Sequence, residues 1–494
     1  MATTVGPASA AVRPAPKPIA EKPPRLVSLD AYRGFIMTML AASGFGFAKL
    51  AQLPADSSVW DFFHFDRLRQ TGWPLCATIA DIGTAFWNHE TFQRLHFHFE
   101  HPAWESITGR MGVSFWDLIQ PAFMFMVGVS MPYSDASRQK AGGSVAGRLW
   151  HAAVRAIVLT LMGVFLYSMR ASQTHWDFNN VLAQIGMGYF FAWMLMMTGS
   201  RTAVLRGICV ILVGYWGFFV MNPPPPDHDF AAVNASPDNG ETYPRRYAAW
   251  SKNGNAAYFF DLWFLNALRQ SDAVTHDTTA EGLTPIIAES AGVSEESADE
   301  TTASSSTARL LDGLRNRVTA GGGLIRSWWF SETEPFQFSS GGYTTLNFVP
   351  SIATMLLGVL CGQLIRTSTS RTRTLLTLMA AAAGCLVLGI LAHHTVCPIV
   401  KRIWTPSWVL FSGGYVIGML ALFYLLFDIL PLRRLAFPLV VVGMNSLVMY
   451  LLGQLLRPWV TQQIVIKHFG GVLTTFCGQR ALDTDNIGVV ILPT

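Results

Sequence analysis

Nine apolar segments, each about twenty residues long, restrict what this sequence can fold into. They span 34–51, 112–133, 150–169, 181–199, 203–221, 346–366, 374–393, 407–428 and 435–455. In lipid every backbone polar group must find its partner internally, which a helix of that length achieves while crossing the hydrocarbon core. Gly and Ala recur through the segments, as close helix packing in a bilayer favours. Of the 494 residues 51% are hydrophobic and 13% charged, against roughly 25% charged in an average soluble domain. The expected fold is all-α: a polytopic transmembrane helical bundle with about nine spanning helices and two long extracytoplasmic loops.

The short connections set the orientation. Lys22, Arg25 and Arg33 flank the start of the first segment, and Arg138, Lys140 and Arg148 lie between the second and third. Arg201 follows the fourth, Arg366, Arg371 and Arg373 the sixth, and Arg433 and Arg434 the eighth. All fall on one side of an alternating topology, which the positive-inside rule makes cytoplasmic. Residues 1–24, Ala/Pro-rich and without the apolar core of a signal peptide, then read as a disordered cytoplasmic leader.

Residues 25–221 carry helices one to five with an outer loop at 52–111, and 222–345 form a second outer loop. Its Ser/Thr/acidic stretch 271–307 has the composition of a disordered insert. Residues 346–456 carry helices six to nine, and 457–494, with no tenth apolar segment, form an extracytoplasmic tail. Lys401 and Arg402, in the outer 394–406 connection, are a local exception to the charge rule. The expected location is a bacterial cytoplasmic membrane. The net charge of +4 is explained by the cytoplasmic connections, so nucleic acid is not expected as a partner. Six cysteines stand singly with no C-x-x-C spacing, which argues against structural zinc and leaves a disulfide among Cys76, Cys397 and Cys477 open.

Charge inside a membrane costs about 2.5–3.5 kcal/mol on insertion scales and usually faces the bundle interior. Ser114, Asp117, Pro121, Met124 and Gly128 share one helix face, with Gln120 beside them. That face is expected to line a polar interior; the alternative is an Asp held near a helix start by the helix dipole. Asp30 and Arg33 stand at i, i+3 where the first helix enters the membrane, with Ser28 as its cap. They form either a helix-start ion pair or a holder for an anionic ligand.

His101, with His96 and His98 before it, sits in the first outer loop. An imidazole with pKa near 6.5 can act as nucleophile or base at neutral pH. The plainer alternatives are a surface residue or a metal group with His89, and no metal is expected because no matching Cys or His pair follows. Asn180, Gln184 and Asn445 are polar positions in apolar segments, suited to helix-to-helix hydrogen bonds or to substrate contact.

Six stretches then occur in a telling order. They are "RLVSLDAYRGFIMTML", "HPAWESITGRMGVSFWDLIQPAFMFMVGVSM", "VLAQIGMGYFFAW", "SIATMLLGVLCGQLI", "KRIWTPSWVLFSGG" and "GMNSLVMYL". Together they resemble the heparan-alpha-glucosaminide N-acetyltransferase family and its bacterial relatives, multi-pass membrane acyltransferases. The resemblance implies transfer of an acetyl group from cytoplasmic acetyl-CoA, as co-substrate, to an amino sugar or glycan acceptor on the far side. His101 matches the family's active-site histidine, Asp117 its Asp in the second helix, and Asn445 the Asn of its G-M-N-S segment. Contact with substrate or acyl donor is expected from Asp30, Arg33, Gln120, Asn180, Gln184, Lys401, Trp404 and Asn445.

The sequence departs from the family at Gly44 and Val400, where Asn is expected, at Gln184, where Arg is expected, and in lacking a counterpart of the last helix. Competing expectations are O-acetylation of a cell-envelope polysaccharide, a transporter or flippase, and an inactive scaffold. A homo-oligomer is left open.

Overall fold

The structure, a computed structural model, describes residues 26–41, 72–269 and 334–456, apart from 87, 103, 170 and 431, together with scattered positions between 459 and 468. The leader, residues 52–71 of the first loop, Gly44, the 271–307 insert and the end of the tail lie outside the described residues.

The described chain is helical: α1 (Val27–Ala41), α2 (Pro74–Phe86), α3 (His89–His96), α4 (Phe115–Lys140), α5 (Val145–Ser168), α6 (Val181–Met197), α7 (Arg201–Met221), α8 (Ala256–Ala267), α9 (Phe348–Thr367), α10 (Arg371–Thr395), α11 (Pro406–Tyr424), α12 (Phe437–Met444) and α13 (Ser446–Leu455). Caps explain several starts. The side chains of Ser144, Asn180, Asn255 and Thr405 accept the N–H three residues on, satisfying donors that the first helical turn leaves open. Ser28 does not cap α1: it lies inside the helix and its backbone N–H donates to Asp428 Oδ2 at 3.2 Å.

Five helices among the described residues are long and apolar enough to cross a membrane: α5, α7, α9, α10 and α11. They make a sixth span possible only with α12 and α13, which bend by 79° at Asn445. The segment expected as one helix at 435–455 is thus broken, because Asn445 leaves helical geometry (φ −114°, ψ 32°). α6 is apolar but 17 residues long, and α4, at 26 residues, carries polar side chains at both ends.

α9 and α11 are mostly buried, whereas α5, α7 and α10 turn Val158, Phe165, Val210, Val213 and Leu388 outward. A helix apolar on its outer face as well as its inner one suits lipid rather than water. α4 lies against α9 through glycines: a Cβ on Gly128 would overlap the Met355 carbonyl, and one on Gly358 the Phe125 carbonyl. Only hydrogen in place of a side chain permits that approach.

The connections 97–114, 222–255, 334–347 and 396–405 gather at one end of the bundle, hereafter the loop end. Trp104, Trp250 and Phe219 form its core, with Trp250 stacked on Phe219 at 4.6 Å and the Trp104 indole N–H donating to the Trp250 carbonyl.

Candidate active site

At the loop end three candidate side chains meet. Asp117 lies in the first turn of α4, 3% exposed, and its Oδ1 is 2.6 Å from His101 Nδ1 and 3.0 Å from Lys401 Nζ. Lys401 is 4% exposed and His101 41% exposed.

Each is held by its own backbone. The Ser114 hydroxyl donates to the Glu100 carbonyl at 2.6 Å, which ties the extended residue just before His101 to the start of α4. Sixteen residues of sequence separation thereby close onto one helical turn. Lys401 sits in a tight turn: Trp404 N–H donates to the Lys401 carbonyl and Thr405 N–H to the Val400 carbonyl. Trp404 adopts φ 49°, a left-handed conformation costly for a bulky side chain. Its burial and an indole hydrogen bond to Thr354 Oγ1 at 3.3 Å offset that cost. Lys401 N–H donates to Ser106 Oγ at 3.0 Å, and the Arg402 guanidinium to the Pro102 carbonyl at 3.0 Å, so the two loops are laced together in the stretch that follows His101.

Facing a carboxylate, His101 Nδ1 carries the hydrogen and donates it. Lys401 Nζ is 3.4 Å from the same Nδ1, but both nitrogens spend their hydrogens on Asp117 Oδ1, so this is proximity between two donors. Nε2 is then the nitrogen with the free lone pair. Burial lowers the proton affinity of the imidazole, and the charges of Lys401 and Arg402 add to that against the pull of Asp117. The net direction is downward, so the ring is neutral at pH 7 and able to take a proton. Lys401 neutralises the buried carboxylate, which lets Asp117 orient the ring without demanding that it be cationic.

Glu105 stands in the adjoining wall, its carboxylate 3.2 Å from His393 Nε2 and accepting the Tyr243 hydroxyl at 3.5 Å. Burial raises this carboxyl above its usual range.

The other expected residues are dispersed. Gln120 is buried along α4. Asn180 caps α6, its Oδ1 accepting Ala183 N–H at 3.0 Å, and Gln184 donates to the Phe178 and Thr345 carbonyls. Trp404 is a packing residue of the Lys401 turn. Asp30 and Arg33 form their i, i+3 pair at 3.8 Å, with Arg33 also donating to the Met126 carbonyl. Asn445 is exposed, donates to the Val441 carbonyl and does not join His101 and Asp117. Among the described residues no three His, Cys, Asp or Glu side chains gather as a metal set, and His96 instead pairs with Glu100 at 2.7 Å.

A half-open cleft with a cavity volume of about 100 Å³ runs between α1, α4, α5, α6 and the broken helix. Met37, Phe123, Val181, Ser446 and Tyr450 line it, and Arg155 supplies its charge. The Arg155 guanidinium lies 5.0 Å over the Tyr189 ring and acts through space on Arg33. None of the three clustered residues lines this cleft.

Sequence reasoning missed the pairing of Lys401 with Asp117, and missed Glu105 and Asp261. Asp261 sits in "AAYFFDLWFLNA", a carboxylate in an apolar helix, which is the same signal that exposed Asp117. No protein-family profile and no curated protein sequence matches this chain.

Proposed function

We propose that this protein is a membrane acyltransferase that passes an acetyl group from acetyl-CoA to an amino sugar, with His101 as the reacting group. The observation that carries the reading is the neutral imidazole held through Nδ1–H by a buried, charge-compensated carboxylate, with Nε2 free and the ring partly open. That arrangement is what a general base or nucleophile needs.

In direct transfer, the acceptor amine attacks the thioester carbonyl carbon while His101 Nε2 takes a proton from the amine. Collapse breaks the carbon–sulfur bond, and the thiolate leaves with that proton. In the two-step variant Nε2 itself attacks and the carbon–sulfur bond breaks, releasing the thiolate and leaving an acetyl-imidazolium; the amine then displaces the neutral imidazole from the acetyl group and gives up a proton, which balances the thiolate released in the first step. Asp117 keeps the ring's tautomer in both, and stabilises its cationic form.

In the membrane the chain has nine spans, with the N-terminus cytoplasmic and the loop end extracytoplasmic. The donor comes from the cytoplasm, and the Arg155 cleft suits its anionic head and apolar arm; the acceptor meets His101 from outside. The transporter alternative draws support from one feature, the helix broken at Asn445, because broken helices line substrate paths in transporters.

The test uses proteoliposomes with glucosamine trapped inside and labelled acetyl-CoA added outside. Labelled N-acetylglucosamine in the lumen supports transmembrane acetyl transfer. Glucosamine leaving the vesicles unacetylated favours transport, and neither outcome with folded protein removes this acceptor from the proposal.

A further inference from the structure

A second polar cluster lies at the loop end, where α6 begins and α8 meets the turn into α9. Asp261, on the apolar helix α8, is 1% exposed and its Oδ2 accepts Thr345 N–H at 2.8 Å. The Thr345 carbonyl accepts Gln184 Nε2 at 3.2 Å, and the same amide nitrogen donates to the Phe178 carbonyl at 2.8 Å. Asp261, Thr345 and Gln184 are therefore one hydrogen-bonded chain.

The two carbonyls on Nε2 fix the amide's orientation, since a flip would set its oxygen against two other acceptors. Gln184 Oε1 is left with no donor in a side chain that is wholly buried. Asp261 Oδ1 and Asn179 Oδ1 are buried and short of donors as well, the Thr345 hydroxyl being the one side-chain donor that acts on Asp261. The single hydroxyl proton of Thr345 cannot serve all of these oxygens.

The charged neighbour acting on Asp261 is a further carboxyl, Asp177, and burial together with that repulsion lifts Asp261 to about 7. Asp177 is itself buried and accepts Asn179 N–H at 2.8 Å. A buried acceptor without a donor is destabilising, because it has given up its hydrogen bonds to water. The cluster is rich in oxygen and short of positive charge.

The geometry points to a cation site in which Asp261, Gln184 Oε1 and Thr345 Oγ1 hold a small monovalent ion of the sodium class. Carboxylate, amide and hydroxyl oxygens are hard ligands, which select hard cations over transition metals. Asp261 is the carboxylate joined by hydrogen bonds to Thr345 and through it to Gln184, and it balances one positive charge; Asp177 acts on it through space. The ion would fasten α8 to the starts of α6 and α9, and α6 forms one wall of the Arg155 cleft.

The experiment is thermal unfolding of the full chain in detergent, in choline chloride, NaCl, KCl or CaCl₂ at matched ionic strength and pH 8. NaCl should raise the melting temperature saturably above choline chloride, and Asp261→Asn should abolish the rise. The Asn side chain keeps an acceptor for Thr345 N–H and supplies a donor for Gln184 Oε1, so this variant should melt in choline at or above wild type. Should it fail to fold, Gln184→Met, of similar size, should raise the half-saturating sodium concentration about tenfold, the equivalent of one lost ligand. Identical melting in all four salts, or a sodium response that survives Asp261→Asn, overturns the site. A response to calcium alone overturns the monovalent assignment.

Discussion

Replacing Lys401 with Met keeps most of the side chain's volume and removes the cation that faces Asp117. The pair has an N–O distance of 3.0 Å with both side chains at most 4% exposed, so little water can move in to replace the ammonium. Breaking a buried pair from one side costs about 3–5 kcal/mol, chiefly because the surviving charge is stranded. Asp117 keeps the His101 hydrogen bond, which places the expected loss near the lower figure. Asp117→Asn strands Lys401 and should cost a similar amount.

The double variant strands neither, so its loss should fall short of the sum of the two singles by about 3 kcal/mol. Reversible unfolding in mixed micelles, with all four proteins compared, reads this coupling directly. Additivity within about 0.5 kcal/mol would refute the claim that Lys401 compensates Asp117.

The remaining predictions concern pH, chemistry and packing. Because His101 binds its proton less readily when folded, the unfolded chain protonates first as pH falls below about 6.5, and stability should drop there. The loss should level off once folded His101 is also protonated, and above that window both forms are neutral and this contribution vanishes; a Tm–pH series for wild type and His101→Gln isolates it. In Lys401→Met the acid limb of acetyl-transfer activity should move to higher pH, since a charge that opposed protonation is gone; an unmoved limb would contradict the electrostatics. Asp117→Asn should lower kcat by about 10²–10⁴ with the fold retained, as expected when a base loses the carboxylate that fixes its tautomer. Gly358→Leu should cost more than about 3 kcal/mol, beyond ordinary overpacking, because the new side chain meets α4 backbone at Phe125; a Tm within a few degrees of wild type would show that the helices can part.

The helical class and the apolar segments were legible because lipid imposes length and composition on every span. Segment ends were less so. Asn445 is one polar residue in a run that stays apolar enough to span a membrane as a whole, so the break between α12 and α13 has no signature in the periodicity. His101 and Asp117 were visible as unusual residue types, and their 2.6 Å contact depends on Ser114 reaching back to Glu100, a local closure that a separation of sixteen positions can encode. Lys401 was visible as a breach of the charge rule and as the first residue of "KRIWTPSWVLFSGG", but not as the partner of Asp117. Its partner stands 284 residues away, and nothing in the local pattern states that distance. Asn445 and the Asp30–Arg33 pair, expected near substrate or acyl donor, are placed away from His101 by the helices that carry them.

The measurement that bears most directly on the central claim is transfer of labelled acetyl from acetyl-CoA to glucosamine by purified protein in detergent, wild type beside His101→Ala. The account predicts turnover by wild type and at least a hundredfold loss in the variant with the fold retained, in line with the roughly 10²–10⁴ that a positioned base contributes. Equal turnover by both proteins would remove His101 from the chemistry and contradict the account.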